Sequence, residues 1–220
     1  MRLILFDVDG TLVDSQDLIV AAHERAFANL GLERPARTRL LGLVGLSLPE
    51  TFTALVGPDG PIEALAEGYK LGFRELRGDP QRAEPVFPGA EAALRVLGAL
   101  EGVRLGLATG KSRRGTDALL TRHGWADLFA TVQTADDAPS KPHPGMIERA
   151  MGETGVVPTD TVMIGDSSYD MIMARTAGVR ALGVAWGYHT PGSLRGNGAE
   201  AVASSFEEAF AWLREERFIP

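Results

Sequence analysis

The chain of 220 residues contains no cysteine. That absence removes disulfides, thiolate metal sites and thiol nucleophiles together. Lysine is scarce as well: of 22 basic residues only Lys70, Lys111 and Lys141 are lysine. A chain that otherwise chooses arginine keeps a compact point charge at three places, and two of them fall at predicted strand ends. Lysine and arginine are not interchangeable where a single oxygen must be neutralised. No apolar stretch approaches the ~18 residues of a membrane span. Asp7 also interrupts the first apolar run too early for a signal peptide, so the expectation is a cytoplasmic protein with no membrane partner. Positive charge is in deficit, with a formal net charge of −7. That balance argues against a nucleic-acid partner, which needs a basic footprint, but a few local cations can still hold a small anion. The 45% hydrophobic and 23% charged residues are ordinary for a globular protein, and the length suits one large domain with a smaller insert.

What is present starts at Leu3. The run Leu3-Ile4-Leu5-Phe6 reads as a buried strand. It delivers Asp7-Val8-Asp9-Gly10-Thr11 to its carboxyl end, where ligands bind in open α/β sheets. Two acids at a strand tip repel each other unless a cation joins them, and a hard divalent ion such as Mg²⁺ meets that need. An ordinary strand-to-turn junction uses the same residue types.

After Thr11 the periodicity becomes helical, from a cap at Asp14 or Ser15 to about Leu30, with Gly31 as the stop. His23 has no metal-binding partner at helical spacing and is expected on the partly exposed surface. Further helices are predicted over Leu48–Val56 and Ile62–Leu76, separated by Gly57-Pro58-Asp59-Gly60-Pro61. The Pro/Gly-rich passage from Asp79 to Gly89 has the marks of a linker. Beyond it, strands at Val103–Ala108, Thr131–Gln133, Thr161–Ile164, Val179–Trp186 and near Ala201 alternate with helices at Ala90–Leu100, Ser112–His123, Gly145–Met151, Tyr169–Ala177 and from Phe206. Such alternation implies right-handed crossovers and a mostly parallel sheet with helices on both faces. The expected fold is therefore a Rossmann-like α/β core over 1–14 and 86–220, with an all-helical cap and its linkers inserted over 15–85.

Three more polar signatures follow predicted strands. Thr109-Gly110-Lys111 offers a hydroxyl, a close backbone approach and free N–H groups at a helix start, a seat for phosphate. A helix cap accounts for the same residues equally well. Lys141-Pro142-His143-Pro144 holds Lys141 on a backbone stiffened by two prolines, although in isolation a solvated loop lysine explains it. Gly165-Asp166-Ser167-Ser168-Tyr169-Asp170 repeats the opening logic, and acids four apart can face one side of a first helical turn.

Taken in order, Asp7-x-Asp9-Gly10-Thr11, Thr109, Lys141 and Gly165-Asp166-x-x-x-Asp170 resemble the four motifs of the haloacid dehalogenase superfamily. The whole chain most resembles the phosphoglycolate phosphatase-like branch, and Asp14-Ser15 and Trp186-Gly187-Tyr188 add to the likeness. The resemblance implies a phosphomonoesterase acting on a small phosphorylated metabolite. In it Asp7 forms an aspartyl-phosphate and Asp9 serves as acid and then base. It further implies Mg²⁺ held by Asp7, the Asp9 backbone carbonyl and Asp166, with Asp170 direct or through water. Thr109, the Gly110 amide and Lys141 would bind phosphoryl oxygens. Dehalogenases of the superfamily lack the second acid, which Asp9 supplies here. Lys70, the only cap lysine, lies in a helical stretch rather than where phosphonate-cleaving relatives carry a Schiff-base lysine. Two alternatives stay open, a sugar-phosphate mutase and a non-catalytic regulator that binds a phosphometabolite. By position, the specificity loop is Gly42-Leu43-Val44-Gly45-Leu46-Ser47, while Arg37 and Arg39 are either a grip on a substrate carboxylate or solvated. Monomer and homodimer are equally compatible with the sequence.

Overall fold

The computed structural model describes residues 1–78 and 84–220, so the start of the expected linker, 79–83, lies outside the described residues. The strands are β1 (Arg2–Phe6), β2 (Val103–Ala108), β3 (Phe129–Gln133), β4 (Thr161–Gly165), β5 (Arg180–Val184) and β6 (Ala201–Ala203). They form one sheet ordered β3-β2-β1-β4-β5-β6, parallel at every pairing. The chain moves outward from β1 to β3 and then returns to lay β4 against the other side of β1. The carboxyl ends of β1 and β4 thus flank the topological switch point, the place where this architecture opens a crevice.

Between β1 and β2 the chain forms α1 (Gln16–Asn29), α2 (Arg37–Leu41), α3 (Leu48–Val56) and α4 (Ile62–Arg77). No strand interrupts these helices among the described residues. They carry their own small core of Ala26, Phe27, Phe52, Leu65 and Ala66. His23 belongs with that core, which corrects its expected place on the surface. It is 3% exposed, with the Phe52 and Tyr69 rings 5.4 and 4.5 Å away, centroid to centroid. Its Nδ1 lies 2.9 Å from the Ile19 carbonyl oxygen and so carries the proton. Burial lowers its pKa to about 4 and keeps the ring neutral. The reason is periodicity: His23 follows Ile19 by four residues on the face that α1 turns toward α4. Missing metal partners say nothing about burial.

The sheet is covered on both faces, as buried parallel strands require. Ile4, Phe6, Val162 and Ile164 point to one face, while Leu3, Leu5 and Met163 point to the other, by the two-residue period of a strand. The first face is closed by α5 (Ala90–Gly98), α6 (Arg113–His123) and α10 (Phe206–Glu215). The second is closed by α7 (Gly145–Thr154), α8 (Ser168–Ala177) and α9 (Pro191–Gly196). The sequence pattern did not announce α9, a six-residue turn capped by Thr190, because it is too short to show a helical period. Among the described residues no helix is long and apolar enough to cross a membrane.

Candidate active site

Asp7 continues the line of β1, its N–H donating to the Ile164 carbonyl at 3.0 Å, and its Oδ1 accepts from the Val8 N–H at 2.7 Å. Asp166 follows β4. Its Oδ1 accepts from Thr11 Oγ1 at 3.0 Å and its Oδ2 from the Tyr188 N–H at 2.8 Å. Asp170 sits in the first turn of α8 and forms a capping box with Ser167: its Oδ2 accepts from the Ser167 N–H and hydroxyl at 3.1 and 2.7 Å. Asp7, Asp166 and Asp170 each present an oxygen within 4.8 Å of the others. Lys141 joins them, with Nζ 2.9 Å from Asp7 Oδ2 and 2.6 Å from Asp170 Oδ1, wholly buried. Close backbone approach is what makes room. At Gly10, whose φ is +86°, a Cβ would lie 2.3 Å from Asp166 Oδ2, and at Gly187 one would lie 2.2 Å from the Asp166 Cβ.

Three buried carboxylates here face one ammonium. Burial pushes Asp7 up to about 7, against the pull of Lys141 and with a further push from Asp170. Burial, with Asp7 and Asp170 adding, raises Asp166 well above the usual carboxylate range. For Lys141 burial works downward, but Asp170 and Asp7 outweigh it and the net direction is up. Fully ionised, the cluster carries an excess of two negative charges in a dry setting. An all-oxygen donor set with that excess fits a hard divalent cation.

The Asp9 carboxylate points elsewhere. Its Oδ1 accepts from Ser15 Oγ at 2.5 Å and from Lys111 Nζ at 2.8 Å, and its Oδ2 lies 3.1 Å from the same nitrogen. Ser15 occupies the N-cap position of α1, yet its hydroxyl does not cap the helix. Its N–H donates to Tyr188 Oη at 3.0 Å, and Trp186 Nε1 donates to the Thr11 carbonyl at 3.1 Å. Residues 14–15 and 186–188 therefore meet over the acid cluster. Sequence reasoning placed Lys111 in the phosphate seat after β2 and Ser15 at a helix cap, and its list of site residues held neither; the contact of both with Asp9 was not foreseen.

Thr109 and Gly110 line a cavity of about 970 Å³ together with Asp7 and Asp9, and the cavity extends past His23, Val44 and Tyr69. Lys141 touches Asp7 from within the core rather than lining that space. The loop 42–47 closes over Gly110, whose Cβ would fall 2.4 Å from the Gly45 carbonyl oxygen. The Ser47 N–H donates to Ser140 Oγ at 2.8 Å, and Tyr169 Oη donates to the Gly42 carbonyl at 3.0 Å. Arg37 and Arg39 stay outside: Arg37 is exposed on Gln16 and Asp17, and Arg39 on the Ala54 carbonyl. Of the two readings of these arginines, the solvated one is what the geometry supports. Lys70 is exposed and paired with Glu67. His143, also exposed, accepts from the Gly145 N–H.

The haloacid dehalogenase-like hydrolase family model matches residues 4–184. The probable phosphatase IndB of Dickeya dadantii is 36% identical over 210 residues, covering 94% of this chain and 90% of that one. A phosphoglycolate phosphatase of Cupriavidus necator is 31% identical over 223 residues, covering 99% and 95%. Among solved structures, a hydrolase from Pseudomonas syringae superposes with a TM-score of 0.85 at 25% identity, over 97% of this chain and 98% of that one. With a family match across most of its length and the four polar motifs gathered at one sheet end, the chain belongs to the haloacid dehalogenase-like hydrolases.

Proposed function

We propose that the protein is a Mg²⁺-dependent phosphomonoesterase, working in the cytoplasm on a small phosphorylated metabolite through an aspartyl-phosphate on Asp7. The observation that carries this reading is the meeting of Asp7, Asp166, Asp170 and Lys141 within one cluster, beside Asp9 and an open cavity. Relatives named phosphoglycolate phosphatase and pyrophosphatase support a small phosphate-bearing substrate. In this reading residues 15–85 form the cap and the remainder the core.

Asp7, Asp166 and the Asp9 backbone carbonyl would hold the ion, with Asp170 direct or through water. When bound, Mg²⁺ supplies Lewis-acid neutralisation of phosphoryl charge. Thr109 and the Gly110 N–H, which line the cavity, grip and orient the phosphoryl oxygens, and Lys141 holds the Asp7 carboxylate from behind; one preorganised donor of this kind contributes about 3 kcal/mol to barrier lowering. An Asp7 carboxylate oxygen attacks phosphorus, the ester P–O bond breaks, and Asp9 gives its proton to the departing oxygen. Asp9 then takes a proton from water as that water attacks phosphorus, the Asp7–phosphorus bond breaks, and inorganic phosphate leaves. The docked 42–47 loop keeps bulk water from the phosphorylated Asp7 until the alcohol has gone.

The test is inorganic-phosphate release from a panel of phosphate esters, 2-phosphoglycolate included, with Mg²⁺ and with a chelator. Release that requires the ion and disappears in Asp7→Asn is the expected result. Isomerisation of a sugar phosphate without net phosphate release, or ligand binding without turnover, would replace this reading.

A further inference from the structure

No step above uses the charged side chains packed against Asp9 on its cap side. Lys111 Nζ contacts both oxygens of Asp9 and lies 3.3 Å from Glu84 Oε1. Arg77 Nε donates to Glu84 Oε2 at 2.6 Å, and Arg77 Nη1 reaches the Gly115 carbonyl at 3.4 Å. The Glu84 side chain is fully buried, with Lys111 7% and Arg77 12% exposed. The ammonium also stands 4.9 Å from the centre of the Phe73 ring on α4. The result is a continuous chain, Arg77–Glu84–Lys111–Asp9, from the last residue of α4 to the loop after β1. Two carboxylates meet Lys111, Arg77 and, 3.5 Å from Glu84, Arg122, so unlike the Asp7 cluster it has no negative charge left for a metal.

A general acid works only within hydrogen-bond reach of the oxygen it protonates. Asp9 stands on a loop, and Ser15 alone, bound to a single oxygen, leaves the carboxylate free to turn. Lys111 touches both oxygens and removes that freedom. Lys111 in turn is held by Glu84, and Glu84 by Arg77 at the end of α4. We propose that Lys111, fixed by Glu84, is a positioning residue that aims Asp9 at the leaving-group oxygen, and that the Glu84–Arg77 pair ties this aim to the cap helix α4. The inference rests on the reading of Asp9 as acid and base. Lys111 itself stays an ammonium: burial works against its charge, but Asp9 and Glu84 outweigh it and raise its pKa. It therefore donates to Asp9 at both oxygens.

The experiment compares kcat/KM for 2,4-dinitrophenyl phosphate, whose phenolate leaves without a proton, with that for glycerol 2-phosphate, whose alkoxide needs one. Wild type, Asp9→Asn, Lys111→Met and Glu84→Gln are measured with both esters. The ratio of the two values reads a single folded population, so partial misfolding does not move it. The expected result is a ratio that rises most in Asp9→Asn, about tenfold or more in Lys111→Met, and less but in the same direction in Glu84→Gln. Parallel losses on both esters in Lys111→Met, beside a shifted ratio in Asp9→Asn, overturn the inference and leave the proposed function standing. An unshifted ratio in Asp9→Asn removes the acid assignment, and the inference with it. An unshifted ratio in Glu84→Gln alone overturns the tie to α4.

Discussion

Two lysines flank the tip of β1, and their surroundings differ in charge balance. Lys141 pairs with Asp7 and Asp170, and Asp166 adds a third carboxylate to that buried cluster. Lys111 shares two carboxylates, Asp9 and Glu84, with a second cation, Arg77. The first cluster holds uncompensated negative charge and suits a divalent ion. The second has no uncompensated negative charge, and its use is to hold a side chain in place. A buried charge is tolerated only when it is paired, so the same residue types serve two purposes according to what remains unpaired.

The largest expected effect breaks the first cluster chemically. Asp7→Asn should lower phosphate release by about 10⁴-fold or more, as loss of a nucleophile does, while circular dichroism shows the fold intact. Next comes a contrast of sign in thermal unfolding of chelator-treated protein at pH 8. Glu84→Gln takes the buried carboxylate from Arg77 and leaves Lys111 with Asp9 alone, and should destabilise by about 3 kcal/mol, the scale of a broken buried pair. Asp166→Asn removes one member of a like-charged set and should raise the midpoint. Equal destabilisation by both would erase the distinction between the clusters.

Titration sharpens the comparison further. Burial lifts Asp7 from its ordinary 3.8 to about 7 in the folded chain. Between those values the folded state binds more protons than the unfolded one, so metal-free stability falls as pH rises through this window. Melting midpoints measured from pH 4 to 8 should decline without a divalent ion and recover at the upper end when Mg²⁺ is added, because the ion binds the ionised cluster. A flat metal-free profile would count against uncompensated negative charge in this cluster. The smallest effect belongs to the rim of the second cluster. Arg122 is 41% exposed and 3.5 Å from Glu84, and Arg122→Ala should change the unfolding free energy by no more than about 0.5 kcal/mol.

Much of this molecule was legible before any coordinates. The apolar run of β1 ending at Asp7, the matching run of β4 ending at Asp166, and the helix over Leu48–Val56 follow from local pattern, and the observed elements agree closely. Short or tertiary-dependent features were not legible. α9 is too brief to show a period, and the burial of His23 depends on α4, which begins 39 residues later. Ser15 looked like a helix cap because its residue type and position suit one; in the fold its hydroxyl has a better acceptor in Asp9.

Periodicity and turn chemistry act over a few residues, so the sequence by itself determined the alternation of strands and helices, the helical insert and which polar residues end each strand. Which of those residues pair was decided only by the tertiary structure. The strand order brings Asp7 beside Asp166 across 159 positions, and the fold sets Glu84 against Lys111. Charge pairing depends on distance in space and on exclusion of water, and neither is written in any local stretch of the chain.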